Sequence, residues 1–203
     1  MRAVEEVLLE GIRAGQFGGE SKPHGEHAMG FVAFSDDPVA EFTGHVVDIG
    51  SGAGLPGLIL ADAFPATTWS LIERRIGRTE LLSRAIHRLD INDRVEVLPE
   101  DAAVVGRSSL RGQADWVTAR SFGQPGDTAE CAAPMLRVGG SLLVSESFDA
   151  DREARWPEQG LTKTGLVYTS SWTTPQGRYL RFTRTSSDIS DIPRKGARKS
   201  LLF

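Results

Sequence analysis

The sequence has almost no cysteine. Cys131 stands alone among 203 residues, so a disulfide framework is excluded and a reducing compartment fits. Long apolar runs are missing too. Without a run of about 18 apolar residues no membrane span is expected. The first stretch carries Glu5, Glu6 and Glu10 and has no apolar core of the kind a secretory signal needs. Excess positive charge is also lacking. A formal net charge of −4 argues against a protein that coats nucleic acid indiscriminately. Internal repeats and low-complexity segments are absent. These absences leave a cytoplasmic globular chain, read as one domain over residues 1–203 and as a monomer without a membrane partner.

Charge is uneven along that chain. The ending "RKGARKSLLF" (194–203) holds four basic groups and no acid, whereas the rest carries 19 basic and 27 acidic residues. An acidic body with a basic tail points to an anionic partner.

Periodicity divides the chain. Residues 3–16 place Val4, Val7, Leu8 and Ile12 at helical spacing. The following "FGGESKPHGEHAMG" (17–30) is too rich in glycine and polar groups for regular structure. Ser35 is positioned to cap a short helix through "DDPVAEF". Residues 1–44 thus form a short N-terminal helical extension. Strands and helices then alternate: "HVVDIG", "TTWSLIE", "RVEVLP", "ADWVTARSF" and "GGSLLVSES" read as strands. "PGLILADAF" and "GRTELLSRAIHRLDI" read as helices, and "DTAECAAPMLRV" as a helix broken late by Pro134. A final pair of strands is joined by "TTPQG". This order predicts an α/β fold, a Rossmann-like doubly wound, mostly parallel sheet with an antiparallel edge hairpin. Ligands of such sheets sit beyond the carboxyl ends of the strands.

The stretch "HVVDIGSGAGLPG" (45–57) falls at one of those ends. Gly50, Gly52 and Gly54 let the backbone turn tightly against a ligand. Asp48 ends the strand and Ser51 lies within the turn. A G-x-G-x-x-G pattern occurs at 52, 54 and 57, but Gly50 already follows the strand directly. The run is better read from Asp48 as Asp-x-Gly-x-Gly-x-Gly. Glu73 ends the next strand, 25 residues after Asp48, where a carboxylate accepts hydrogen bonds from a ribose diol. That feature identifies a nucleoside without choosing the cofactor. Missing motifs narrow the choice. There is no Tyr-x-x-x-Lys dehydrogenase pair and no phosphate loop. Asp101 and Ala102 follow the third strand, where a short polar side chain is able to accept a hydrogen bond from an amine. Arg120 follows the fourth, placed to bind a carboxylate, a phosphate or a base edge. His24-x-x-His27 is a poor metal site in a glycine-rich loop, so no metal is expected. Cys131, inside a helix, reads as core.

The Asp48 run resembles the first motif of class I S-adenosylmethionine-dependent methyltransferases. The longer string "DIGSGAGLPGLILA" resembles the bacterial 16S rRNA (guanine-N7) methyltransferases of the glucose-inhibited division protein B family. Glu73 with its basic followers and "ELLSRAIHRL", then "ADWVTARSF", then "IPRKGARKSLLF" continue the likeness over residues 45–203. The resemblance implies S-adenosylmethionine as cofactor, with contacts on Gly50, Leu55, the Asp101–Ala102 loop and Arg120. It implies methyl transfer to N7 of a guanine in 16S rRNA, free or within the 30S subunit. Three departures stand out. Residues 1–44 show no clear match, Asp101 replaces an arginine, and Ser145–Glu146 replaces a Lys-Gly pair on the fifth strand. A methyltransferase for a small molecule or a protein, and a non-catalytic homologue that keeps the cofactor, remain as alternatives. Guanine N7 has a free lone pair and no proton to lose, so no catalytic base is assigned. Candidate phosphate contacts are Arg74, Arg75 and Arg78, with Arg194, Lys195, Arg198 and Lys199 in the tail. Phe122 is the candidate for stacking on a base.

Overall fold

The computed structural model describes residues 2–13, 15, 18–35, 37–108, 110–194, 202 and 203, the side chains of Arg2 and Ala3 excepted. Lys195, Arg198 and Lys199 lie outside the described residues. In chain order the elements are α1 (Arg2–Arg13), α2 (Ser21–Gly30), α3 (Pro38–Glu41), β1 (Gly44–Ile49), α4 (Gly57–Ala63), β2 (Thr67–Ile72), α5 (Ile76–Leu89) and β3 (Val95–Leu98). They continue with α6 (Ala102–Val105), β4 (Ala114–Ala119), α7 (Pro125–Ala132), β5 (Leu136–Glu146), α8 (Arg152–Arg155), α9 (Glu158–Lys163), β6 (Leu166–Thr174) and β7 (Gly177–Arg184).

The seven strands form one sheet in the order β3-β2-β1-β4-β5-β7-β6. β1 to β5 run parallel. β7 runs antiparallel between β5 and β6. The expected doubly wound sheet is therefore present. Its one reversed strand is interior, and the edge strand β6 points the same way as β1–β5. The order reverses between β1 and β4, which opens a crevice above that junction.

Alternation along the strands builds a core on each face. Val47, Ile49, Val117, Leu142, Val144 and Phe182 face α6, α7 and α9. Val46, Trp69, Leu71, Trp116, Leu143 and Tyr179 face α4, α5 and the segment around Phe31 and Phe42. Each buried aliphatic side chain contributes about 1.5–3 kcal/mol, which suits strands that must be apolar on both sides. In α5 the predicted stripe Leu81, Leu82, Ala85, Ile86 and Leu89 is buried, and Asp90 ends the helix in a left-handed conformation with φ 56°.

Three local expectations need correction. Residues 21–30 are helical, not irregular. Tertiary packing supplies what propensity withholds: α2 lies on β7, where Tyr179 is fully buried, and the Tyr179 hydroxyl donates to the His27 carbonyl at 2.8 Å. A Cβ on Gly30 would stand 2.1 Å from that hydroxyl oxygen, so the glycine that weakens the helix in isolation permits its close approach. The cap of α3 is Asp37, whose side chain accepts from the Ala40 amide at 3.2 Å, while Ser35 accepts from the Asp37 amide. The helix around Cys131 ends at Ala132, and residues 136–138 already belong to β5.

Candidate functional site

The glycine turn is fastened to its neighbours strand by strand. The Ser51 amide donates to the Ile72 carbonyl at 2.9 Å, and the Gly52 amide donates to Glu73 Oε2 at 3.1 Å. Gly50, Gly52 and Gly54 all have positive φ, at 68°, 58° and 97°, a region that other residues enter only at a cost. At Gly50 a Cβ would meet the Phe122 ring at 2.7 Å, and at Gly54 it would meet Leu58 at 2.3 Å. At Gly52 no atom lies closer than 3.8 Å, and the nearest includes Arg78 Nη1. The turn is thus closed on two sides and open at Gly52.

Asp48 lies beneath the turn, 1% exposed. Its Oδ1 accepts from the Thr118 hydroxyl at 2.7 Å, across the β1–β4 pairing in which the two residues are partners. Burial pushes its carboxyl up to about 6, against the hydrogen bonds from Thr118 and Ser51. Asp48 and Ser51 therefore organise the turn from below. Leu55 packs with Leu8, Ala28 and Ile59 and ties the turn to α1 and α2.

A cleft opens beyond the carboxyl ends of β1, β2 and β3, with Gly50, Glu73, Arg78, Asp101, Ala102 and Phe122 on its walls. Glu73 is 5% exposed. Its Oε1 accepts from the Arg75 amide at 2.8 Å, and Arg78 stands 3.7 Å from Oε2. Asp101 caps α6 by accepting from the Ala103 amide at 2.9 Å, and its Oδ2 lies 3.5 Å from Arg74. The structure brings Gly50, Glu73, Asp101, Ala102, Arg74, Arg75, Arg78 and Phe122 to one cavity.

Arg120 stands at the end of β4 on the face that carries Asp48. Its Nη2 is 3.2 Å from His24 Nδ1, and His24 Nε2 is 2.6 Å from the Gly18 carbonyl. A carbonyl only accepts, so Nε2 carries the proton and Nδ1 accepts from Arg120. Arg120 Nη1 is buried with no hydrogen-bond partner among the described residues. Sequence reasoning weighed the two histidines only as metal ligands and missed this junction; their signal was the helical spacing of a segment judged irregular. Among the described residues no group of acids, histidines or cysteines is arranged for a metal ion. Ser121 was missed as well. It holds φ 52° and lines the cleft beside Phe122.

His27 sits beside this junction. Burial, Arg120 and His24 hold its imidazole down at about 4, well below the usual 6.5. The unfolded chain takes up this proton as pH falls through 6.5, while the native protein resists until about 4, so the group costs stability across that window. Asp48 acts in the opposite sense, because its raised carboxyl takes up a proton in the native state first. His27→Phe keeps a ring against Phe31 and Tyr179. The stability of this variant relative to wild type is expected to rise steadily from pH 6.5 to pH 4 in urea titrations. A constant difference would show that His27 does not titrate in this way.

Arg194 is engaged inside the fold. Its backbone amide, Nε and Nη2 all donate to the fully buried Glu130 at 2.8 Å. Arg194→Ala removes both guanidinium donors and leaves only the backbone amide of the three, and a loss of about 2 kcal/mol is expected once the exposed end of the arginine is discounted. An unchanged urea midpoint would return Arg194 to a purely surface role.

The described residues contain no helix long and apolar enough to cross a membrane. Among solved structures, the fold is shared with a putative S-adenosylmethionine-dependent methyltransferase from Methanococcus maripaludis. The TM-score is 0.62 at 15% identity, over 91% of this chain and 94% of the other. A protein from Corynebacterium glutamicum gives 0.61 at 16% identity, over 92% and 91%. At such identities the likeness is one of fold. In sequence, the chain is 39% identical over 108 residues to the ribosomal RNA small subunit methyltransferase G of Syntrophomonas wolfei, covering 53% of this chain and 50% of that protein. The protein of the same name from Chloroflexus aggregans is 37% identical over 122 residues, covering 60% and 51%. The chain thus spans about half the length of these relatives. Residues 32–174 match the GidB family, described as rRNA small subunit methyltransferase G. That match starts ahead of the glycine turn, within the segment where the sequence showed no likeness, and stops short of the basic tail. The chain belongs to the GidB family.

Proposed function

We propose that this protein transfers a methyl group from S-adenosylmethionine to N7 of a guanine in 16S rRNA. The observation that carries the reading is the cleft above the β1–β2 ends, where an open glycine turn faces a nearly buried Glu73. The donor set suits a nucleoside: a carboxylate for a ribose diol, and the capped Asp101–Ala102 turn for a base edge. The open space at Gly52 is a cradle that a Cβ would occupy. Arg120 Nη1, without a hydrogen-bond partner among the described residues, offers a donor for a carboxylate at the carboxyl end of β4.

When bound, the cofactor supplies an electrophilic sulfonium methyl, so the chemistry needs alignment more than proton transfer. The turn fixes the nucleoside through Glu73. Arg120, oriented by His24, fixes the carboxylate end. Phe122, braced over Gly50, lines both the cleft and the space above β5. Arg74, Arg75 and Arg78 lie at one mouth of the cleft and supply phosphate contacts for RNA.

Tritiated methyl transfer to 30S subunits from cells that lack the native N7 enzyme tests this reading. Label is expected in a single guanosine of 16S rRNA. Absence of label, or label on protein or small molecules of an extract instead, overturns the rRNA assignment.

A further inference from the structure

A second cleft adjoins the first beyond the carboxyl ends of β4 and β5. The two share Ser121 and Phe122 as a common wall. Thr128, Ser145, Glu146, Arg155 and Trp156 face the second. At its floor lies Glu146, the last residue of β5, with its side chain 8% exposed. Two side-chain donors hold the carboxylate. Trp156 Nε1 donates to Oε1 at 2.7 Å, and Arg155 Nε reaches Oε1 at 3.2 Å and Oε2 at 3.0 Å. Oε1 accepts from both donors and Oε2 from Arg155 alone, so Oε2 keeps acceptor capacity for a ligand in the cleft.

We propose that this cleft receives the acceptor base and that Glu146 selects guanine by accepting from its N1–H and N2–H groups. This rests on the methyl-transfer reading above. A fixed carboxylate pairs with two neighbouring donors and rejects adenine, which presents an acceptor at N1. Gripping this edge of the purine leaves N7 on the far side of the ring, toward the shared wall and the first cleft. During transfer the N7 lone pair forms the new bond to the methyl carbon and the sulfur keeps the electron pair of the broken one. The purine becomes cationic and its N1–H more acidic. The hydrogen bond to Glu146 therefore strengthens along the reaction and stabilises the transition state more than the ground state.

The test compares 30S subunits reconstituted with guanosine or inosine at the acceptor position. Inosine keeps N7 and N1–H and lacks only the N2 amine. Wild type is expected to prefer guanosine by about tenfold or more in kcat/KM. Glu146→Gln should lower kcat on guanosine and bring the guanosine-to-inosine ratio to within about threefold, with unchanged S-adenosylmethionine affinity by calorimetry. Glu146→Asp, which keeps the charge and withdraws it, should shift both quantities the same way and serves if the glutamine variant does not fold. An unchanged ratio in a folded variant, or no preference in wild type, overturns the proposal and leaves Glu146 as a brace for Arg155 and Trp156. Saturation-transfer NMR with GMP and IMP reads the same preference without catalysis. A protein that prefers GMP through Glu146 yet methylates nothing would sink the transfer reading while keeping this one.

Discussion

Gly52→Val is expected to lower S-adenosylmethionine affinity at least about 100-fold, or roughly 2.7 kcal/mol. Two effects combine. Gly52 holds φ 58°, where an L-residue costs about 1–2 kcal/mol and a β-branched one more. Relief of that strain rotates the peptide whose amide donates to Glu73 Oε2, so the carboxylate that faces the ribose loses a fixed partner. The valine methyls also enter the space beside Arg78, on the wall of the cleft. Strain alone is controlled by Gly112→Val. Gly112 has φ 72°, no atom of the described residues beyond its chain neighbours within 4 Å of its Cβ position, and no place in either cleft. This control should lose stability and keep cofactor affinity. Calorimetry showing Gly52→Val within about threefold of wild type would remove the turn from the binding site.

The strand ends and the turn were legible because their signals are local. A strand buried on both faces must hold a short apolar run, and Val46–Val47, Leu71–Ile72, Trp116–Val117 and Leu142–Val144 are such runs in β1, β2, β4 and β5. Asp48 and Glu73 were legible as strand-end carboxylates, but not their difference in role. Which one lies beneath the turn depends on Thr118, 70 residues further on. The helix α2 was hidden for the same kind of reason. Its own composition argues against it, and only the buried ring of Tyr179 shows why Gly30 must lack a side chain. The second cleft draws on β4, α7, β5 and the end of α8, so no single motif announces it. The Ser145–Glu146 pair stood out in the sequence only as a lost cation. The fold turns that departure into a held carboxylate.

Gly57→Val is expected to cost more than about 3 kcal/mol of stability, a fall of about 6–12 °C in Tm for a chain of this size. Gly57 opens α4 directly over the sheet. A Cβ there would stand 2.7 Å from Asp48 Oδ2 and 2.7 Å from Leu71 Cδ2. Neither neighbour has room to yield. Asp48 is locked to Thr118 and pressed under the turn, and Leu71 is fully buried in β2. The added methyls therefore push α4 off the strands, and the turn that begins at Gly50 moves with it. Cofactor affinity should fall together with stability, whereas a purely packing defect far from the turn would spare it. Gly77→Ala gives the opposite sign. Nothing lies within 4 Å of its Cβ position in α5, so replacing a helical glycine should gain up to about 0.5–1 kcal/mol. Urea titrations of the two variants against wild type measure both signs. A stable Gly57→Val that still binds the cofactor would mean that α4 approaches β1 less closely than its glycine requires, and the anchoring of the turn from below would have to be abandoned.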